Sequence, residues 1–259
     1  MTVLILGGAS EAAALARACA AAGLADILIS LAGRTAAPLA LPLPVRVGGF
    51  GGVEGLARFI REQHITALVD ATHPFAARIS AHAVQAVRET GIPALALQRA
   101  GWAREAEDLW QEVEGLEAAV AALGPAPRRV FLTIGRQGLP AFAAAPQHHY
   151  LVRTIEPVGD ALPVPHLTEL NARGPFDAEA EAALMVRERV DVLVTKHSGG
   201  ASTYGKIEAA RRLGLPVVMI ARPVASGMPA TVHVDEALAF VRAHMSARAG
   251  LPKGTEELA

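Results

Sequence analysis

The chain of 259 residues has one cysteine, Cys19, and so can close no internal disulfide. Cys19 sits in an Ala-rich helical segment and reads as a small buried apolar side chain, in keeping with a cytoplasmic location. Long apolar runs are also missing. Hydrophobic residues make up 52%, much of it helical alanine, yet no uncharged stretch approaches the roughly eighteen residues of a bilayer span. No basic run follows Met1-Thr2-Val3, so no signal peptide is expected. Charge of one sign is lacking too. The formal net charge is −1, with 9 basic and 12 acidic residues up to position 125 and 15 and 13 beyond it. A nucleic-acid surface is therefore not expected, and an acidic ligand must meet a local cluster of positive groups.

Several catalytic signatures are absent. There is no Gly-x-Ser-x-Gly elbow and no P-loop. Tyr204 and Lys206 are two apart, which turns a helix by roughly 200°, so they cannot act as a Tyr-Lys pair on one helical face. His148-His149 lacks a third ligand at zinc spacing, and neighbours in a strand point apart, so no metal is expected.

What remains is a regular alternation. Apolar runs at 3–6, 26–31, 44–47, 67–71 and 93–97 predict strands, and helical spacing falls at 11–22, 53–63 and 75–90. Short links between them predict a mostly parallel sheet covered on both faces. Gly23 and Gly91 stand where helix C-caps are expected. Residues 98–112, with Trp102 and Trp110, read as a loop or covering segment. A helix over 116–123 then runs into Gly124-Pro125-Ala126-Pro127, taken as a linker. A second series follows, with strands at 129–133, 150–156, 190–195 and 216–220 and helices at 139–145, 177–189, 204–213 and 234–247. Asp177 is a good N-cap, with Glu179 and Glu181 suited to the helix dipole. This divides the chain into 1–125, 126–247 and a frayed tail at 248–259.

The turns carry the chemistry. Strand, Gly7-Gly8-Ala9-Ser10-Glu11, helix departs from the Gly-x-Gly-x-x-Gly fingerprint but allows a tight turn and close ligand approach. A bare need for positive φ explains such glycines equally well. Glu11 repels a pyrophosphate, so it either accepts from hydroxyls or serves only the helix dipole. Arg34-Thr35 follows the second strand, where an Arg accommodates a 2′-phosphate and favours NADPH over NADH; the competing reading is a solvated surface side chain. In Gly48-Gly49-Phe50-Gly51-Gly52 the glycines suit backbone approach to a ligand, against a hinge, and Phe50 reads as packing before stacking. Asp70-Ala71-Thr72-His73-Pro74-Phe75 closes a strand and opens a helix, with Pro74 near N1, Thr72 as a cap candidate and Asp70 placed to bond backbone amides. His73 is a candidate acid, although a lone loop histidine is more often structural.

In the second half, Gly135 permits close approach and Arg136 suits a carboxylate. Lys196 ends an apolar strand, where a ligand contact fits better than a solvated face. The stretch Thr195-Lys196-His197-Ser198-Gly199-Gly200 feeds a helix, a ready place for a phosphate or carboxylate. Two such series suggest two α/β units facing a shared cleft. Two rivals stand beside an enzyme: a non-catalytic NADPH-binding regulatory protein and a nucleotide-sugar binder, the latter disfavoured by Arg34.

Taken in order, these turns, together with Ala32-Gly33-Arg34, Phe131 to Arg136, Ala172-Arg173-Gly174-Pro175-Phe176 and Lys206 to Arg211, resemble the precorrin-6A reductase family of vitamin B12 biosynthesis. The resemblance spans about residues 2–245, and His197 stands where the family more often has Asn or Asp. It implies an α/β fold of two Rossmann-like domains with NADPH in the cleft between them, and hydride transfer to a carbon–carbon double bond of a corrinoid polycarboxylate. On this reading Gly7, Gly8, Ser10, Glu11, Arg34, Gly48, Gly49, Phe50, the run from Ala71 through Thr72, His73 and Pro74 to Phe75, Lys196, Gly199 and Gly200 face the cofactor. Arg136, Lys196, Ser198, Tyr204, Lys206, Arg173 and Arg222 face the substrate. No dedicated acid is required, His73 and Lys196 being the candidates. Neither nucleic acid nor membrane is implied as a partner, whereas neighbouring enzymes of the pathway are.

Overall fold

The computed structural model describes residues 2–33, 40–224 and 227–245. They fall into two compact units: residues up to Arg99 with those from Val224 onward, and Ala100–Pro223. In the first unit the chain runs β1 (Thr2–Leu6), α1 (Ser10–Ala21), β2 (Ile27–Leu31), β3 (Val45–Val47), α2 (Val53–Glu62), β4 (Ile65–Asp70), α3 (Ala77–Thr90) and β5 (Ala94–Leu97). The second unit holds β6 (Trp110–Val113), α4 (Gly115–Ala122), β7 (Arg129–Thr133), a 3-10 helix (Arg136–Ala144), β8 (His149–Thr154), β9 (Leu167–Asn171), α5 (Ala178–Arg187), β10 (Val192–Lys196), α6 (Gly205–Arg212) and β11 (Val217–Ile220). The chain then returns to the first unit with β12 (Ala230–Thr231) and α7 (Val234–Met245).

Each unit is built on a six-stranded parallel sheet, in the orders β12-β5-β4-β1-β2-β3 and β6-β11-β10-β7-β8-β9. Nearly every side chain of β1, β4, β10 and β11 is buried, as expected where helices cover both faces. Leu15, Ala16 and Cys19 of α1 pack with Ala237 and Val241 of α7 on one face of the first sheet. Leu56 and Ile60 of α2 pack with Ala83 and Ala86 of α3 on the other. In the second unit Met185 of α5 and Ile207 and Ala210 of α6 share a core with Trp102 and Trp110. In the order of the first sheet the strand sequence reverses between β1 and β4, and in that of the second between β7 and β10. Ligands of open α/β sheets bind beyond the carboxyl ends at such points.

The linker read at 124–127 does not divide the units. β6, expected as loop, pairs with β11 through Trp110 and Val217, which draws 100–125 into the second sheet. β12 pairs with β5 through Ala230 and Ala96, which returns the C-terminal helix to the first. Each sheet thus takes its edge strand from outside its own βα series. Other differences are local. Helix α3 starts at Ala77, leaving Pro74 three residues before it, and no side chain caps it. The stretch expected as a helix at 139–145 is a 3-10 helix from Arg136, in keeping with Pro140 and Gly138 inside it. β9 was not foreseen. Asp177 caps α5 as expected, its Oδ1 accepting from the Ala180 amide at 2.9 Å. Arg34 and the tail lie outside the described residues.

Candidate cofactor and substrate sites

At the carboxyl end of β1, Gly8 takes φ of 129°, a conformation essentially restricted to glycine. Gly7 is tightly packed: a Cβ there would meet Leu31 Cδ2 at 3.0 Å and Ala12 Cβ at 3.3 Å, so both side chains would have to give way. Helix α1 begins with Ala9 at its N-cap and no side-chain cap, so its first amides face outward. Ser10 Oγ donates to both Glu11 oxygens, at 3.1 and 3.2 Å. Arg99 lies 3.5 Å from Glu11 and offsets the charge that made this turn awkward for a phosphate.

The glycines after β3 also take positive φ: 124° at Gly48, 80° at Gly51 and 99° at Gly52. Arg46 of β3 clamps this turn, Nη1 donating to Ser30 Oγ at 2.7 Å and the Gly48 carbonyl at 3.0 Å, Nη2 to the Gly49 carbonyl at 3.1 Å. Phe50 is a packing residue. Its ring meets Phe59 edge-on at 5.2 Å, and the Arg46 guanidinium lies 4.1 Å from its centroid.

Beyond β4, Asp70 is fully buried. Its Oδ1 accepts from Thr72 N at 3.1 Å and Thr72 Oγ1 at 2.7 Å, while Oδ2 has no hydrogen-bond partner among the described residues. Thr72 is thus held by Asp70 and Ser80, the latter at 3.3 Å, and caps no helix. His73 Nδ1 accepts from the Phe75 amide at 3.2 Å, so a neutral ring carries its proton on Nε2.

In the second unit the turn after β10 is stitched by its own neighbours. Arg222 Nε donates to the His197 carbonyl at 2.8 Å, and its Nη2 to the carbonyls of Ser198 and Ala100 at 2.9 and 3.1 Å. Trp102 Nε1 donates to the Gly200 carbonyl at 2.8 Å, and His197 Nε2 lies 3.0 Å from the Trp102 carbonyl. Arg222, expected at a substrate rim, is therefore a brace of this turn. Lys206 departs further from that expectation. It is 3% exposed, donates to the Thr203 carbonyl at 2.7 Å and sits 4.9 Å from the Trp102 ring centroid. Burial, and then the nearby Arg153 charge, lower its pKa to about 7. Arg136 and Arg173 are exposed, and Lys196 is half-buried at the strand end. Arg136 Nε donates to the Val158 carbonyl at 3.3 Å. Tyr204 lines a cavity of about 570 Å³ with Trp102, Phe176, Glu105, Asp177 and Glu208, an acidic lining poorly suited to ligand carboxylates.

Sequence reading missed Arg46, Arg99 and the buried Arg153–Glu181 pair, whose Nη2–Oε2 bond is 2.8 Å. No local pattern announces them, because the side chains that Arg46, Arg99 and Arg153 hydrogen-bond or pair with, Ser30, Glu11 and Glu181, lie 16, 88 and 28 positions away.

Two parallel α/β sheets with glycine-lined turns at their carboxyl ends define a protein of the open, doubly wound α/β class, in which such ends are the usual ligand sites. The chain belongs to the precorrin-6x reductase family: the family described as "Precorrin-6x reductase CbiJ/CobK" matches residues 2–242. It is 49% identical over 236 residues to the precorrin-6A reductase of Sinorhizobium sp, covering 91% of this chain and 90% of that one. It is 33% identical to the cobalt-precorrin-6A reductase of Priestia megaterium, covering 85% and 90%. The solved structure of CobK precorrin-6A reductase superposes with a TM-score of 0.88 at 45% identity, covering 94% of this chain and 97% of that one.

Proposed function

We propose that this chain reduces a carbon–carbon double bond of precorrin-6A to give precorrin-6B, with NADPH as reductant, in the cytoplasm. The observation that carries the cofactor reading is the turn after β1. Gly8 at φ 129°, the uncapped start of α1 and a Glu11 offset by Arg99 make a cradle that a pyrophosphate fits. The buried Asp70 Oδ2, without a hydrogen-bond partner among the described residues, supplies an acceptor for a ligand hydroxyl or amide at the end of the neighbouring β4.

When bound, NADPH supplies the hydride. Gly7, Gly8 and Ser10 hold the phosphates, and the Gly48-Gly49 turn and Arg34 take the adenosine end. The turn from Ala71 through His73 to Phe75 bounds the same site. In the second unit Lys196, Arg136 and Arg173 pair with substrate carboxylates, and the turn of Ser198, Gly199 and Gly200, braced by Arg222 and Trp102, offers backbone amides. The chain's work is to orient two large reactants, which by itself accelerates reaction by several powers of ten. Its partner is a small-molecule substrate in the chemical sense, a corrinoid macrocycle bearing several carboxylates. Among the described residues no helix is long and apolar enough to cross a membrane.

The test is stopped-flow mixing of the NADPH-loaded protein with precorrin-6A. Loss of the reduced-nicotinamide absorbance in step with substrate conversion is expected. Binding without oxidation would identify a regulatory NADPH binder instead.

A further inference from the structure

Among the described residues, Arg46 is a cation held by neutral groups alone. Its three recorded acceptors are a hydroxyl and two backbone carbonyls, on Ser30, Gly48 and Gly49. Its guanidinium carbon lies 4.1 Å from the Phe50 ring centroid and 5.1 Å from that of Phe59, two rings that pack edge-on against each other. Among the described residues no carboxylate lies within ion-pair distance of it. A guanidinium partly stripped of water is costly unless an anion compensates. Burial accordingly draws its pKa below the usual arginine value.

The donor count points the same way. A guanidinium has five N–H groups. Nη1 serves two acceptors and Nη2 one, which leaves Nε–H and the second Nη2–H. Those two hydrogens form the edge of the fork that grips a phosphate side-on. The position is equally specific. Arg46 is paired with Ser30 at the end of β2, and Ser30 with Leu6 at the end of β1, so the three form a row leading from the first glycine turn. In sheets of this order the adenosine ribose is met at the end of the second strand. The start of α2, with Gly52 at its N-cap and no side-chain cap, adds positive potential beside the same turn.

We infer that Arg46 reads the 2′-phosphate of NADPH through its Nε–Nη2 edge and is a determinant of NADPH over NADH. This rests on the cofactor reading above, and it assigns to β3 a recognition that the sequence alone assigned to Arg34.

Equilibrium titrations of NADPH and NADH, with 2′,5′-ADP and 5′-AMP as nicotinamide-free probes, test it on wild type, Arg46→Met, Arg46→Lys and Arg34→Ala. Arg46→Met is expected to weaken NADPH and 2′,5′-ADP by about tenfold or more while NADH and 5′-AMP stay within about twofold. Arg46→Lys, a point charge without the fork, should fall between, and it carries the test if the Met variant does not fold. Equal losses for phosphorylated and unphosphorylated ligands would reduce Arg46 to a clamp of the glycine turn and overturn the inference. So would an unchanged preference in Arg46→Met, or a preference erased by Arg34→Ala alone. Should wild type bind neither dinucleotide, the cofactor reading itself falls; NADPH binding indifferent to Arg46 overturns only this assignment.

Discussion

Arg99 holds its guanidinium 3.5 Å from the Glu11 carboxylate, and both side chains are largely buried. A carboxylate in the first turn of α1 looks hostile to phosphate, yet with Arg99 against it the pair presents no net charge. Arg99→Gln should therefore weaken NADPH binding by about five- to tenfold, equivalent to about 1 kcal/mol at a partly buried helix start. Adding Glu11→Gln should restore most of the affinity. Isothermal titration of the two single variants and the double variant checks it, and a double variant no better than Arg99→Gln would refute it.

Gly55 has no tolerance for a side chain. A Cβ there would stand 1.7 Å from the Phe50 carbonyl oxygen, a backbone atom that cannot step aside without moving the glycine turn. Gly55→Ala is expected to cost about 3 kcal/mol or more in urea denaturation. An unchanged midpoint would mean that the packing of α2 on this turn is looser than the structure has it.

Among the described residues Glu181 is the carboxylate in ion-pair contact with the buried Arg153, whose guanidinium also lies 3.7 Å from the Phe176 ring centroid. Glu181→Gln leaves Arg153 without its counter-charge in the core and should cost about 3–5 kcal/mol. Chemical denaturation measures the loss. A loss below about 1 kcal/mol would show that water reaches the pair.

Lys206 makes stability depend on pH. Its pKa is near 10.5 unfolded and about 7 folded, so between those values the unfolded chain binds the extra proton. Stability linked to this residue therefore rises as pH climbs from about 7 toward 10 and is lost as pH falls through 7. The groups facing it are Arg153 on β8, Glu181 on α5 and the Trp102 ring. Lys206→Met should flatten this rise, compared by urea melts at pH 6, 7, 8 and 9. Parallel wild-type and variant curves would contradict it.

Much of the fold was legible because a buried parallel strand needs an apolar run, and its helices need glycine or an acidic cap at their ends. The turn at Gly7-Gly8, the C-cap at Gly91 and the N-cap at Asp177 follow from backbone demands that only a few residue types meet. Strands β6, β9 and β12 were not legible. Trp110–Val113 and Leu167–Asn171 each set two polar residues between their apolar ones, neither an apolar run nor an alternation, and Ala230–Thr231 is two residues long, so little in these patterns marks a strand. The candidate site divides likewise. Its glycines show in the sequence, whereas the placement of its arginines does not.

The order of residues by itself determined the βα alternation, the family and the positions of the glycine turns, since each depends on neighbours within a few residues. Only the tertiary structure decided which sheet takes β6 and β12, that Lys206 and Glu181 are interior, that Arg222 braces a turn, and that Arg99 stands against Glu11. Those outcomes depend on which distant strand edge offers free backbone donors and acceptors, and on which side chains lose their water when the helices close over the sheets. Neither quantity is carried by any short stretch of the chain.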